Sequence, residues 1–397
     1  MKWFSSISDA PHANDALQQA LAPVIAGLAG AQPDLVLLFV SDHHRADHAR
    51  VADELRKNWP QSLLLGCSAH SVIGGGRELE ECPGLSLTAA VLPDVRLQPF
   101  HLSAHETPEP KAEIGKPGEC LPIPREPPPH FILLADPFSC DVESVISALD
   151  VSYPESTKIG GVVSGGTQAG ENMLYLGSDT YDSGLVGVAL SGNVEIDTII
   201  AQGCRPIGNP MFVTRCHENV LYELDGRPPL EVMQELYESS SPEDQALFRG
   251  SLFLGLEMKA GQDEYHQGDF LIRNLAGADQ ENGALLVATS PRITQVVQFH
   301  LRDAHTSAED LETQLTRYQS RTPHARPAAG GLLFSCLGRG ASLYGQADHD
   351  SQAFRSHLGD IPLAGFFCNG EIGPIQEQTF LHGYTSAYGL FRARKTA

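Results

Sequence analysis

The chain has 397 residues, of which 42% are hydrophobic and 19% are charged, so it is long enough for two ordinary globular domains and is not disordered. Its formal net charge of −22 excludes a broad basic face for nucleic acid and disfavours an anionic membrane surface. We therefore expect neither nucleic acid nor a membrane among its partners.

The N-terminal segment and the cysteines predict a soluble, cytoplasmic protein with reduced thiols. Residues 1–21 contain no long apolar core of the secretory type, and the apolar run "LVLLFV" at 35–40 is far too short to span a bilayer. The cysteines include no Cys-x-x-Cys pair, which favours neither a disulfide framework nor a zinc site. They lie at positions 67, 82, 120, 140, 204, 216, 336 and 368. We expect no metal and no cofactor.

Six segments have the composition or spacing of helices, and the short apolar runs between them predict strands. The first is rich in Ala and Leu, with Asn14 or Asp15 as a cap. The fifth has Ser307 followed three residues later by Asp310, a capping-box pattern. The predicted helices cover residues 12–31, 46–58, 140–149, 227–239, 306–320 and about 351–358.

The run "DHHRADH" at 42–48 leads into the second predicted helix. His44 and His48 would share a helix face there, so a weak metal site is conceivable. A solvated helix entrance is the favoured interpretation.

Residues 101–130 are rich in proline and poor in apolar side chains. This composition predicts a long, exposed and partly extended connection with no role in the core. A polyproline partner motif is the alternative interpretation. A second boundary between domains is expected near residues 203–210, where "GCRPIGNP" follows a predicted strand.

A repeated order of elements is the most informative feature of the sequence. A strand and a helix precede "LLLGCSAHSVIGGG" at 63–76, and a further strand follows it. The same order recurs around "IGGVVSGGTQAG" at 159–170 and "LAGFFCNGEIGP" at 363–374. The numbers of residues along the chain from Leu35 to Gly66, from Phe131 to Gly161 and from Leu332 to Gly365 are closely similar. Residues 252–288 resemble a degraded fourth copy without its helix.

Each copy is a strand, a helix, a strand with a glycine-rich exit and a further strand, and such units bury their apolar faces against one another. The sequence therefore predicts an α/β (or α+β) fold. Two related domains, residues 1–205 and 206–397, would be built from these repeated units around mixed sheets.

The stretch "GCSAHSVIGGG" at 66–76 has three interpretations. Cys67 would be a nucleophile if His70 were its base, but three residues apart on a strand the two side chains point to opposite faces. A phosphate loop is disfavoured, because the Gly-Lys-Ser/Thr ending is absent and "RELEECPG" follows with three carboxylates. A structural turn, with Cys67 and Ser68 at a strand end, is the favoured interpretation. The equivalent turn of the second copy offers Ser164.

The C-terminal turns carry polar side chains among apolar ones. Cys336 and Arg339 follow one predicted strand, Asn369 and Glu371 follow another, and His382 lies in "FLHGYTSAYG". Strand-end turns of α/β sheets commonly hold ligand groups, so Arg339 would clamp a carboxylate while Asn369 and Glu371 accept an ammonium. An ion pair between Arg339 and Glu371 that only joins the two turns is the equal alternative.

Three C-terminal segments, "GLLFSCLGRGASLYG", "IPLAGFFCNGEIGPI" and "FLHGYTSAYGLF", resemble the C-terminal region of the FIST family of F-box and intracellular signal transduction proteins. "GCSAHSVIGGG" with "LSLTAAVLP" is similar to the matching N-terminal region, and "QVVQFHLRDAHTSAEDL" to the segment between them. The resemblance covers nearly the whole chain, with residues 1–205 as the N-like and 206–397 as the C-like domain.

This resemblance implies a stand-alone sensor that binds a small polar metabolite, such as an amino acid, and acts with a signalling protein partner. We expect no catalytic residues. Two alternatives stay open: a cysteine- or serine-dependent acyl-transfer or hydrolytic enzyme, and a platform for protein interaction. The expected ligand-binding residues are Arg339, Asn369, Glu371, Cys336, Cys67, Ser68, Ser164 and His382.

Overall fold

A computed structural model of the chain describes residues 1–104, 121–321 and 327–394, which form two compact units. Unit 1 contains residues 1–200, 312–381 and those from 385 onward, and unit 2 contains residues 201–311 and 382–384. The division expected at 205/206 follows chain order, whereas these units do not, because the last strands of the chain pair with strands of the N-terminal half.

The elements follow one another in a repeating order. The first repeat comprises β1 (Lys2–Ser8), α1 (Ala13–Leu28), β2 (Leu35–Ser41), a 3₁₀ helix (Asp42–Asp47), α2 (His48–Arg56), β3 (Leu63–Ala69), β4 (Val72–Gly74), β5 (Arg77–Leu79) and β6 (Leu85–Val91). The second comprises β7 (Val95–Leu102), β8 (His130–Ala135), α3 (Val142–Ser152), β9 (Lys158–Val162), β10 (Leu174–Leu176), β11 (Asp179–Tyr181) and β12 (Leu185–Gly192).

The third repeat is interrupted by a long insertion. It opens with β13 (Glu195–Ala201). The insertion holds β14 (Cys204–His217), β15 (Val220–Leu224), α4 (Pro229–Ser239), α5 (Pro242–Leu247), β16 (Leu252–Glu257), β17 (Phe270–Ala278), β18 (Leu285–Val287) and β19 (Val296–Arg302). The remainder comprises α6 (Ala304–Arg321), β20 (Gly330–Cys336), α7 (Ala341–Tyr344), α8 (His349–Leu358), β21 (Leu363–Cys368), β22 (Gly370–Ile375), β23 (Gln378–His382) and β24 (Ser386–Arg392). None of the described helices is long and apolar enough to cross a lipid bilayer.

Unit 1 contains three six-stranded sheets of the same design. Their strand orders are β1-β6-β2-β3-β10-β11, β7-β12-β8-β9-β22-β23 and β13-β24-β20-β21-β4-β5. Each sheet has one parallel pair at its centre, β2–β3, β8–β9 or β20–β21, and a helix connects the two strands of each pair. The mixed α/β fold with repeated units and mixed sheets is therefore confirmed.

The three repeats exchange hairpins in a closed cycle. The hairpin β4–β5 of the first repeat joins the sheet of the third, β10–β11 of the second joins the first, and β22–β23 of the third joins the second. As a result, the turn that ends each parallel pair leads directly into a neighbouring sheet. This exchange brings the three strand-exit turns together.

The parallel strands are buried on both faces, which explains why they read as continuous apolar runs. Side chains from one face of all three sheets form a single central core that includes Leu65, Ile132 and Phe366. The opposite face of the first sheet packs with residues of α1 and α2, and that of the second with residues of α3.

One glycine in each repeat fixes the register between the paired strands. A Cβ atom added to Gly66, Gly160 or Gly365 would lie 1.9, 1.9 or 1.8 Å from the carbonyl oxygen of Leu38, Leu133 or Leu333, respectively. These three glycines are therefore structurally equivalent. The equivalent residue of the second repeat is Gly160, one position before the Gly161 that the sequence comparison paired with the other two.

Unit 2 contains a closed barrel of strand order β14-β15-β18-β17-β16-β19, with antiparallel pairing throughout. Its core includes Val213, Leu254 and Phe299. The interpretation of residues 252–288 as a degraded fourth repeat is wrong, because β16, β17 and β18 belong to this barrel and form no parallel pair.

Part of the proline-rich segment has a core role, contrary to expectation. Residues 105–120 lie outside the described residues. Leu121 and Ile123 are buried against Phe131 and α3, and the Tyr153 hydroxyl donates hydrogen bonds to both of their carbonyl oxygens at 2.9 and 3.1 Å. Two aliphatic side chains and a buried hydroxyl are enough to hold this piece of irregular backbone in place.

Candidate functional site

The strand-exit turns of the three repeats meet in unit 1. Four residues beyond the equivalent glycines lie His70, Ser164 and Asn369. The Ser164 Oγ accepts a hydrogen bond from the His70 backbone N–H at 3.0 Å and donates one to the Phe367 carbonyl at 2.5 Å. The Asn369 Nδ2 donates to the Val163 carbonyl at 2.9 Å. Each turn is thus fixed by contacts with the others, and we call this place the exit junction.

Two polar groups of the exit junction reach solvent. The His70 side chain is 41% exposed, and its Nδ1 lies 3.2 Å from Oδ2 of Asp42, the first residue after β2. Asn369 is also exposed. Because their backbones are held by buried strands, a carboxylate, an imidazole and an amide are presented on a rigid support.

The geometry does not present a nucleophile at this junction. Cys67 lies in the central core with no exposed surface, and burial raises the pKa of its thiol well above the ordinary value. The Ser164 hydroxyl proton is directed to a carbonyl and not to an imidazole nitrogen. The Ser68 Oγ accepts from the Met173 backbone N–H at 2.9 Å and is also buried. These three side chains hold the turns in place.

Arg339 forms a buried ion pair, but not with Glu371. Its Nε and Nη2 lie 3.0 and 3.2 Å from the two carboxylate oxygens of Asp350, and the side chains are 0% and 2% exposed. Glu371 instead accepts hydrogen bonds from the Cys368 thiol at 3.3 Å and the Thr385 backbone N–H at 3.1 Å. The alternative Arg339–Glu371 pair is wrong, and a guanidinium without exposed surface cannot clamp a ligand carboxylate.

The acidic run after "GCSAHSVIGGG" caps two helices. On β5 and just after it, Glu78 and Glu80 point to the same side. Glu78 accepts a hydrogen bond from the Ser351 N–H at 2.6 Å, in the first turn of α8. Glu80 accepts from the Ala341 N–H, the first residue of α7, at 3.0 Å. These carboxylates accept hydrogen bonds from N–H groups that the helices leave unpaired at their N-termini. The spacing of the acidic residues in the sequence does not indicate this structural role.

Glu78 is expected to make stability fall as the pH rises from about 4.5 to about 8. Burial, followed by the nearby Asp350 carboxylate, raises the pKa of Glu78 to about 8. A raised folded-state pKa gives stability that is complete below about 4.5, the ordinary value of a glutamate, and is lost progressively until the pH has risen through about 8. Glu78→Gln cannot ionise, so it should remove this loss and be more stable than the natural chain at pH 7.

Urea unfolding from pH 4.5 to 9 measures this effect, since the slope of the unfolding free energy against pH reports the proton difference. Glu54→Gln, a change at a 44% exposed side chain, is the control and should leave the slope between pH 4.5 and 8 unchanged. A slope in that range that persists in Glu78→Gln would assign the loss to another group.

His382 and Cys336 are the two remaining predicted residues. His382 is buried and belongs to unit 2. Cys336, the last residue of β20, is half-buried, and its backbone N–H donates to the Thr385 carbonyl at 3.0 Å.

The histidine-rich run is not a solvated helix entrance. His44 and His48 are buried, and the His48 Nε2 lies 3.0 Å from the Ser41 carbonyl oxygen. Within the described ranges, no group of three or more His, Cys, Asp or Glu side chains is arranged to hold a metal ion.

Comparisons with known proteins identify relatives over nearly the whole chain. Family models of the FIST N domain and the FIST C domain match residues 34–227 and 229–374. An uncharacterized protein of Mycobacterium tuberculosis is 36% identical over 385 residues, which cover 97% of this chain and 98% of that protein. Human F-box only protein 22 is 32% identical over 76 residues, which cover 15% of this chain and 19% of that protein. Among solved structures, a cyanuric acid hydrolase from A. caulinodans matches 100% of this chain and 99% of its own with 9% identity and a TM-score of 0.38, too weak a likeness for any argument.

Proposed function

Because the chain belongs to the FIST family, whose domains are signal-transduction sensory domains, we propose that it senses a small polar metabolite, such as an amino acid, at the exit junction. A signalling protein partner and a cytoplasmic location are parts of the same proposal. Catalysis is not part of the proposal, because Cys67 is buried and the Ser164 hydroxyl donates its hydrogen bond to the Phe367 carbonyl.

One observation carries the proposal: equivalent turns from three repeats converge and leave polar side chains exposed on a buried frame. Other polar side chains of these turns form hydrogen bonds with backbone atoms of a neighbouring turn. The Ser164 hydroxyl, for example, connects the His70 backbone N–H with the Phe367 carbonyl. The imidazole of His70 and the amide of Asn369 extend beyond that frame. Binding groups are commonly found where loops are positioned by a rigid scaffold.

The exposed groups complement a zwitterion. The Asp42 carboxylate, with a 26% exposed side chain, can accept hydrogen bonds from an ammonium group. Protonated His70, whose Nδ1–H faces Asp42, can donate its Nε2–H to a carboxylate, and Asn369 can donate the amide N–H that the Val163 carbonyl does not take. The exposed groups are carried by turns whose conformation depends on buried side chains, those of Cys67, Ser68 and Ser164. Arg339 and His382 are not included in the proposed site.

Thermal unfolding tests the proposal with the common L-amino acids at millimolar concentration. A ligand that binds only the folded protein raises its Tm, and one present at 100 times its Kd stabilises it by about 2.7 kcal/mol. We expect at least one amino acid to raise the Tm of the natural protein. His70→Ala and Asn369→Ala should each weaken that ligand about tenfold, because each removes a hydrogen bond to a charged group.

His305→Ala is the matched control, since the His305 side chain is 80% exposed and lies in unit 2. It should leave the Tm shift unchanged. A shift that both site variants retain in full would place the ligand elsewhere. The absence of any shift, in protein shown by native mass spectrometry to carry no bound metabolite, would contradict binding of amino acids.

A further inference from the structure

We propose that Cys336 and Cys368 form an oxidisable dithiol, which a hydroperoxide converts to a disulfide between β20 and β21. Both cysteines are reduced. They are the last residues of their strands and are paired in register in the parallel ladder. This inference does not depend on the proposed ligand.

The Cα separation of residues paired in register suits a disulfide. Neighbouring strands lie about 4.8 Å apart, which is within the Cα separation of about 4.4–6.8 Å that disulfides tolerate. Residues paired in register point to the same face of a sheet, and Phe334, Phe366 and Cys368 all face the central core. Cys336, two residues after Phe334, follows the same alternation. Each strand ends at its cysteine. Formation of the disulfide therefore needs only a small backbone shift at the end of the strand pair, where no further ladder hydrogen bonds follow.

The two thiols have different surroundings, which assign them different roles. Cys336 is half-buried at the strand exit, so we assign it as the sulfur that meets the oxidant first. Cys368 has no exposed surface, and its thiol lies 3.3 Å from Oε1 of Glu371 and 3.4 Å from the Ser335 carbonyl oxygen. A carboxylate at this distance can take the thiol proton when the sulfur attacks.

The reaction is balanced as follows. The Cys336 thiolate attacks one oxygen of the hydroperoxide, the O–O bond breaks, and a sulfenic acid forms with release of water or an alcohol once the leaving oxygen is protonated. The Cys368 sulfur then attacks the sulfenic sulfur, forms the S–S bond and displaces hydroxide. Glu371 accepts the Cys368 proton and passes it to the hydroxide, giving a second water. The two thiols lose two electrons, the peroxide gains them, and an external thiol reverses the step.

The fold itself does not require this pair. The equivalent positions are occupied by Ser41 and Ala69 in the first repeat and by Asp136 and Val163 in the second. The same register is therefore maintained twice without cysteine. The third repeat alone places two sulfurs across its parallel strands.

Peptide mapping of the full chain tests the inference. The protein is treated with hydrogen peroxide, remaining thiols are alkylated, and tryptic peptides are analysed by mass spectrometry without reduction. Arg339 and Arg355 lie between the two cysteines, so trypsin leaves them on separate peptides. We expect one linked pair, Cys336 with Cys368, that dithiothreitol separates.

Cys336→Ser should abolish the linked pair and leave Cys368 unalkylated in the folded protein. Cys368→Ala should allow a sulfenic acid at Cys336 to be trapped with dimedone, whereas the natural chain should trap little. Cys82→Ser, at another half-buried cysteine, is the control and should form the link normally. A link from Cys336 to any other cysteine, or oxidation of Cys336 beyond sulfenic acid with no link, would overturn the inference. Because Cys336→Ser changes a half-buried residue only, the test holds even if Cys368→Ala fails to fold.

Discussion

Gly66→Ala is expected to destabilise unit 1 by about 3 kcal/mol or more, because a methyl group at this position collides with backbone. The added Cβ would lie 1.9 Å from the Leu38 carbonyl oxygen and 2.8 Å from its carbon. Neither atom can move without breaking the ladder of β2 and β3, in which Leu38 and Gly66 are paired. The same clash recurs at Gly160 against Leu133, so Gly160→Ala should behave alike.

Gly331→Ala is the matched control, since Gly331 also lies in a strand, β20, but its added Cβ would meet the ends of the Leu363 and Leu390 side chains at 3.1 Å and backbone no closer than the Gly389 carbonyl oxygen at 3.6 Å. It should change stability by less than about 1 kcal/mol. Urea unfolding followed by circular dichroism gives all three free energies. If Gly66→Ala and Gly160→Ala lay within error of Gly331→Ala, the glycines would not be what sets the register of the paired strands.

Local features of the fold could be predicted from the sequence because each depends on neighbouring residues. The helices expected over 140–149 and 227–239 are observed as Val142–Ser152 and Pro229–Ser239. Runs such as Leu35–Ser41 are strands because apolar side chains cover both of their faces. The repeat can be recognised because each parallel pair places a glycine under a carbonyl oxygen of the preceding strand, at Gly66, Gly160 and Gly365.

Long-range arrangement could not be predicted in the same way. The exchange of hairpins pairs β4 with β21, far apart in the chain, and no local pattern specifies which sheet a hairpin joins. The sequence predicts a fourth repeat over the barrel strands because β16 and β17 are apolar runs. Their antiparallel pairing with each other, and that of β16 with β19 outside this stretch, cannot be read from the individual runs.

The candidate site was predicted in part for the same reason. Ser164 and Asn369 were found because they follow recognisable strand exits, and both lie at the exit junction. Asp42 was overlooked, although an acidic residue directly after a buried strand was a usable signal. The partner of Arg339 cannot be predicted from the sequence, since no local pattern marks Asp350, in "DHD" at 348–350, as a buried carboxylate.

Asp350→Asn is expected to destabilise the protein by about 3–5 kcal/mol, because it leaves the Arg339 guanidinium charged and buried without a counter-ion. Asp350 also accepts hydrogen bonds from the Ser386 hydroxyl and from His349, whose Nδ1 lies 2.9 Å away. Although burial alone would raise it, Arg339 and these donors hold the pKa of Asp350 below its ordinary value. The carboxylate is thus ionised at neutral pH, and its neutral amide cannot replace it.

Asp360→Asn provides the matched control for this change. Asp360 pairs with Arg355 at 2.5 Å, but the side chains are 78% and 66% exposed, so water screens the loss and the expected effect is below about 1 kcal/mol. The double variant Arg339→Met/Asp350→Asn should be more stable than Asp350→Asn alone, because it removes the unpaired charge. Denaturant unfolding of the natural chain and the three variants measures these differences in the free energy of unfolding. If the double variant were no more stable than Asp350→Asn, the loss would come from the hydrogen bonds of Asp350 and not from the buried charge of Arg339.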